Sequence, residues 1–227
     1  MGKIKFEGII LYKTKFKNTS YILDVFTKSK GRIPLIARGA LRDKSKFLGD
    51  LEFLNHLYLY VYFKNSRNIN TLMETEMIEN SNFIITNPLI FNKLGEIVYH
   101  LRRTLLQGEN HDKIYDKFIL MLKGIKKNKP YKAILYFFYF YLKFIGWDIK
   151  LTIECSCNNP GENLNYFDYE NGEFYCSNCK RGDKINNKII LIIKQLLSPK
   201  SKELNISKRE FLDCYNLLLK YLKYHIS

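Results

Sequence analysis

The five cysteines include two close pairs, Cys155-x-Cys157 and Cys176-x-x-Cys179, with 18 residues between them. Pairs at this distance can bring four thiolates to one tetrahedral centre, the arrangement that structural zinc requires. The intervening NNPGENLNYFDYENGEFY carries Pro160-Gly161 and Asn171-Gly172 turn signals between short aromatic runs, the pattern of a zinc-ribbon hairpin. Such an excursion has almost no core of its own, so Zn2+ on Cys155, Cys157, Cys176 and Cys179 would supply much of its folding energy. Four cysteines close the shell and leave no position for a catalytic water. A single residue between Cys155 and Cys157 strains the chelate turn. The spacing ranks structural zinc first, unligated thiols second and disulfides third. Cys214 lies beside the apolar face of a helical segment and reads as a small packing residue.

The second reactive stretch is GRIPLIARGALRDKSKFLGDLE, residues 31–52. It starts as an apolar strand, becomes a cationic loop and returns to apolar residues at Phe47, Leu48 and Leu51. A loop this basic repels itself and suits a polyanion better than a core. Lys28, Lys30, Arg32, Arg38, Arg42, Lys44 and Lys46 are the candidate phosphate contacts. The net charge of +15 supports this reading, although lysine enrichment throughout the chain accounts for part of it. The distribution is uneven. Residues 1–50 carry a net +8, residues 180–227 a net +7, and the middle is neutral.

No phosphate loop, dinucleotide fingerprint, HExxH or GxSxG motif occurs. His56, His100, His111 and His225 are scattered without an evident nucleophile or carboxylate partner. Binding is therefore favoured over catalysis. The start, MGKIKFEGIILYKTKF, has charges interrupting every apolar run, so no secretory signal is expected. The apolar residues 133–145 are too few to span a bilayer. These features imply a soluble, cytoplasmic protein with reduced cysteines and no membrane partner.

Residues 1–80 read as β structure, with strands over 3–12, 21–27, 32–38, 57–63 and 70–77. Gly8 marks a bulge or bend in the first. In residues 57–63, Leu57, Leu59, Val61 and Phe63 share one face, and Tyr58, Tyr60 and Tyr62 the other. That tyrosine row is better explained as a half-exposed strand face than as a set of base-stacking platforms. Five short strands suit a small barrel of the oligonucleotide-binding (OB) type. The period then becomes helical. Asn87-Pro88 caps a helix that Gln107-Gly108 stops, a second spans 112–126, and a third spans 131–145 and is apolar nearly all round. Residues 187–197 and 203–224 are again helical, with a capping box at Ser207 and Glu210. The expected class is α+β and multidomain: an OB barrel over 1–80, a helical domain over 81–150, a four-cysteine zinc-finger insertion over 151–182, and C-terminal helices over 183–227 packing on the helical domain.

Taken together, FTKSKGRIPLIARGALR (residues 26–42), KSKFLGDLE (44–52), TLMETEMIE (71–79) and the FIGW close that leads into Cys155 resemble the RecO family of bacterial recombination mediators. The resemblance covers most of the chain. It implies non-enzymatic binding of single- and double-stranded DNA, strand annealing without ATP, and recombinase loading with RecR and single-stranded DNA-binding protein. The Cys-x-Cys spacing departs from the two-residue spacing usual in members that keep the finger. The rival readings are a zinc-ribbon scaffold without annealing activity, a peripheral protein of anionic membranes using the C-terminal helix, and a nucleic-acid enzyme.

Overall fold

Alternation along residues 57–63 becomes a strand whose Leu57, Leu59 and Val61 are fully buried while the tyrosines face outward. The computed structural model describes residues 2–64, 68–151, 155, 164–198, 201 and 204–226. These residues divide into two compact units, Met1–Asp116 and Lys117–Ser227.

In the first unit, strands β1 (Gly2–Phe16), β2 (Ser20–Thr27), β3 (Gly31–Ala37), β4 (His56–Phe63) and β5 (Asn70–Glu79) close a barrel in the order β1-β2-β3-β5-β4. All neighbours are antiparallel except β3 and β5, which run parallel from Leu35 opposite Asn70 to Ala37 opposite Leu72. That is the five-stranded topology of an OB barrel. β1 serves two partners: residues 2–9 pair with β4, and residues 8–16 pair with β2. The strand runs four residues beyond its expected end at Tyr12.

Phe6, Ile10, Val25, Leu35, Leu57, Leu59 and Val61 fill the interior, joined by Phe47 and Leu51 from the basic loop between β3 and β4. Burial of each such side chain contributes about 1.5–3 kcal/mol, enough to hold a self-repelling loop against the barrel. The bulge in β1 lies between Ile10 and Tyr12, not at Gly8. Gly8 has a packing role: a Cβ there would sit 2.9 Å from Leu59 Cδ1 and 3.0 Å from Val25 Cγ1. Gly8→Ala is expected to cost about 1–3 kcal/mol through overpacking. A lower urea midpoint at unchanged slope would register it.

Two helices complete this unit, α1 (Asn82–Ile85) and α2 (Pro88–Thr104). Asn87 caps α2 by accepting from the Ile90 N–H at 3.3 Å, with Pro88 in the first turn. The helix stops at Thr104, ahead of Gln107-Gly108. Arg32 takes the carbonyls of Arg102 and Leu105 and so terminates it. Gly31, at φ +56°, lets the following loop approach, since a Cβ there would lie 1.7 Å from the Glu109 carbonyl oxygen.

α3 (Asp112–Lys126) runs from the first unit into the second, which continues with α4 (Pro130–Phe144). A small sheet follows, formed by β6 (Leu164–Asp168), β7 (Glu173–Cys176) and β8 (Asp183–Lys184) in the order β7-β6-β8. The chain ends with α5 (Lys188–Leu197) and α6 (Lys208–Ile226). α4 buries Ile134, Leu135, Phe137, Phe138, Tyr141 and Leu142 and packs with both α5 and α6, which explains a helix apolar nearly all round. α6 begins at its capping box: the Ser207 N–H donates to Glu210 at 3.0 Å and the Glu210 N–H to Ser207 Oγ at 3.3 Å. The hydrogen bonds from Ser207 hold the Glu210 carboxyl below its ordinary pKa. Among the described residues, no helix is long and apolar enough to cross a membrane.

Candidate nucleic-acid interface and metal centre

Two N-terminal turns of the barrel meet through one backbone bond, in which the Leu41 N–H donates to the Thr19 carbonyl at 3.0 Å. This ties the basic loop after β3 to the β1–β2 turn. The Arg42 N–H closes the loop's first turn on the Gly39 carbonyl at 3.1 Å. Between the two turns lies a cleft of about 370 Å3 lined by Phe16, Lys17, Thr19, Arg38, Gly39 and Arg42. Among the described residues, no carboxylate pairs with Lys17, Arg38 or Arg42. A concave site with uncompensated cations attracts anions, and its guanidiniums suit phosphate oxygens. Lys44 and Lys46 are exposed further along the same loop.

The structure separates the expected phosphate contacts into three groups. Arg38, Arg42, Lys44 and Lys46 lie together after β3. Lys28 and Lys30 occupy the β2–β3 turn, at the opposite end of a seven-residue strand, a separation of about 20 Å. Lys28 is 3.1 Å from Asp116, and the hydrogen bond to that carboxylate raises the lysine pKa. Arg32 belongs with neither group. It is only 5% exposed, and its Nη2 and Nε donate to Asp24 at 2.8 and 3.2 Å while its Nη1 caps α2. Arg102 Nε donates to the same carboxylate at 2.7 Å. Arg32 is a structural cation and cannot reach a phosphate without breaking this pair.

Lys15 and Lys17 were not among the expected contacts, yet Lys17 lines the cleft and Lys15, two residues before it on β1, is exposed. Their signal was the alternation Lys13-Thr14-Lys15-Phe16-Lys17. With no apolar face, it gave no indication that β1 continues. Tyr58, Tyr60 and Tyr62 form a half-buried row, and the first two contact lysines. Lys5 Nζ lies 3.6 Å from the Tyr58 ring centroid, Lys3 Nζ 4.9 Å from that of Tyr60, and the Tyr60 hydroxyl donates to Glu76 at 3.0 Å.

In the second unit, Cys155, Cys176 and Cys179 converge, with their sulfurs all within 4.8 Å of one another. Cys157 and the Pro160-Gly161 turn lie outside the described residues. Cys155 and Cys176 are buried, and the Lys180 N–H donates to the Cys176 carbonyl at 3.1 Å, closing the knuckle turn. Three thiols gathered within reach of one centre, two of them on a tight turn, fit a thiophilic cation such as zinc. The hairpin behind them is not coreless. Phe167 and Phe174 are buried, and Phe167 packs edge-on against Tyr221 of α6 at 5.6 Å. Asp168 anchors the β6–β7 turn, accepting from the Glu170 N–H at 3.0 Å, Asn171 Nδ2 at 2.9 Å and Arg181 at 2.9 Å. Burial pushes its pKa up, but these donors outweigh burial and hold the carboxyl below its ordinary value. Cys214 is fully buried on α6, and burial pushes its thiol up to about 12. It stays protonated and packs.

Comparison with known proteins follows the same division of the chain. The family model described as recombination protein O N terminal matches residues 1–81, and that described as recombination protein O C terminal matches residues 100–227. The chain is 27% identical over 183 residues to the DNA repair protein RecO of Mycoplasma capricolum, covering 77% of this chain and 70% of that one. It is 26% identical over 211 residues to the RecO protein of Caldanaerobacter subterraneus, covering 90% and 84%. To that of Alkaliphilus metalliredigens it is 28% identical over 204 residues, covering 84% and 78%.

Proposed function

On the premise that this chain belongs to the recombination protein O family of DNA repair proteins, we propose that it works by binding and not by catalysis. In this reading the barrel domain, residues 1–80, holds single- and double-stranded DNA by its phosphates. Arg38, Arg42, Lys44 and Lys46 form the main contact, Lys15 and Lys17 extend it, and Lys28 and Lys30 make a second, weaker one. Neutralising phosphates lowers the repulsion between complementary strands, so the protein anneals them without ATP. With RecR and single-stranded DNA-binding protein as partners, it helps load recombinase in the cytoplasm, at the nucleoid. Cys155, Cys157, Cys176 and Cys179 hold structural Zn2+ in the insertion, residues 151–182, between the helical segments 81–150 and 183–227.

The observation that carries this reading is the cleft where Lys17, Arg38 and Arg42 converge without a carboxylate. Phosphate contacts position a nucleic acid but do not read its sequence, so affinity should be nearly sequence-blind and steeply salt-dependent. The Arg38→Glu/Arg42→Glu variant is expected to bind single strands on the order of a hundredfold more weakly. Its plot of log affinity against log salt should be shallower by about 1.4, two contacts at roughly 0.7 each. The thermal transition should not move, because neither side chain is buried. Annealing of complementary strands coated with single-stranded DNA-binding protein, with no nucleotide added, should fall in parallel. Undiminished binding and salt slope in this variant would remove the cleft from the interface. Wild-type protein that binds partners yet anneals nothing would be a zinc-ribbon scaffold instead.

A further inference from the structure

We infer that the second half of β1 is a base-stacking track specific for single-stranded nucleic acid, leading from the Arg38–Arg42 cleft to an aromatic pocket beside α2. This rests on the DNA-binding reading above and adds to it what the bases touch. Along β1, Tyr12, Thr14 and Phe16 alternate onto one face, and Tyr12 and Phe16 are 50% and 37% exposed. The β4 ladder ends at Ile9, and Ile10 still exchanges backbone bonds with Leu54 and Asn55 at 2.8 and 3.1 Å; beyond Ile10 the strand's ladder is with β2 alone among the described residues. Phe16 lines the cationic cleft. Tyr12, about 13 Å further along the strand, lines a pocket of about 410 Å3 together with Phe53, Phe91, Val98, Tyr99 and Arg102. The Arg102 guanidinium lies 4.1 Å from the Tyr12 ring centroid, and Asp24 orients it at 2.7 Å.

Two rows therefore flank one short strand: exposed aromatic rings at Tyr12 and Phe16 on one face, and exposed ammonium groups at Lys15 on the opposite face and at Lys17 in the turn beside Phe16. No carboxylate neutralises those lysines among the described residues. An apolar peptide would match the rings and leave the cations facing nothing. An acidic peptide would match the cations alone. A polymer with an anion and a flat ring at every repeat satisfies both rows, and a nucleic acid strand is such a polymer. The strand must be single, because a duplex keeps its rings stacked inside. The base nearest Phe16 stacks there while its phosphate meets Arg38 and Arg42, and the base reaching Tyr12 enters the pocket beside Tyr99.

Oligo(dT) and an abasic oligomer of equal length present the same phosphates with and without rings, so their affinities at fixed salt isolate stacking. Wild-type protein should prefer oligo(dT). Tyr12→Ala/Phe16→Ala should lose that preference by about tenfold for each ring, while keeping its abasic affinity and salt slope. Phe16→Trp retains a flat ring, so it should keep the preference, and oligo(dT) but not the abasic oligomer should quench its added fluorescence. A preference that persists in the double alanine variant, or that wild type never shows, overturns the track and leaves phosphate binding standing. A sedimentation change in that variant with the preference intact would mark the face as a contact between copies and would also overturn it. Wild-type protein that binds neither oligomer sinks the DNA reading itself.

Discussion

Stripping metal with a chelator is expected to disorder the cysteine turns of the finger while the barrel unfolds as before. Cys155, Cys176 and Cys179 already converge, and a structural zinc on thiolates contributes an apparent ~10–16 kcal/mol near neutral pH. Amide exchange should therefore accelerate at residues 176–181. β6 and β7 should be affected less, because Phe167 packs on Tyr221 through a ring contact that uses no thiolate. Metal content measured by elemental analysis should be one zinc per chain and should fall in Cys176→Ala and Cys179→Ala. Cys157→Ala tests the fourth ligand by the same measurement. Thiolates are the ligands, so protonation competes with the metal and retention must decline as pH falls. Protein purified without chelator that carries no zinc and takes up no cobalt(II) would reduce the cluster to packed thiols.

Asp24→Ala should destabilise the barrel unit by about 3–5 kcal/mol, the usual cost of leaving a buried charge without its partner. One carboxylate serves two guanidiniums here, Arg32 at 2.8 Å and Arg102 at 2.7 Å, and Arg32 is almost wholly enclosed. Removing the carboxylate strands the Arg32 cation and loosens the cap it places on α2. Urea unfolding measures the loss. Arg32→Ala should likewise lower stability, and under conditions where it remains folded it should bind DNA as wild type does. The cleft variant Arg38→Glu/Arg42→Glu should behave in the opposite way, losing affinity and keeping stability. Weaker DNA binding by Arg32→Ala at full stability would return Arg32 to the phosphate contacts.

These arginines also mark where sequence periodicity stops being informative. Local rules determined much of the chain: Leu57-x-Leu59-x-Val61 can bury only one face as a strand, Asn87-Pro88 can only open a helix, and Ser207 with Glu210 cap each other within four residues. The cysteine spacing likewise limited which thiols could meet, and Cys155, Cys176 and Cys179 do. Family membership was legible in the segment 26–52 because its glycines, cations and apolar anchors occur in a fixed order. Arg32 and Arg38 look alike in that segment, both basic at the margins of one strand. Only closure of the barrel separates them, since it turns Arg32 toward Asp24 and toward the end of α2, whose bonded carbonyls are 70 and 73 residues away in sequence, and leaves Arg38 in an open cleft. The same closure puts Lys28 and Lys30 at the far end of β3 from Arg42. It also brings Lys17 and Phe16 to the cleft from a strand whose alternating lysines conceal its length. Charge and periodicity are properties of neighbours along the chain, whereas burial and pairing depend on neighbours in space, and the parallel pairing of β3 with β5 decides those.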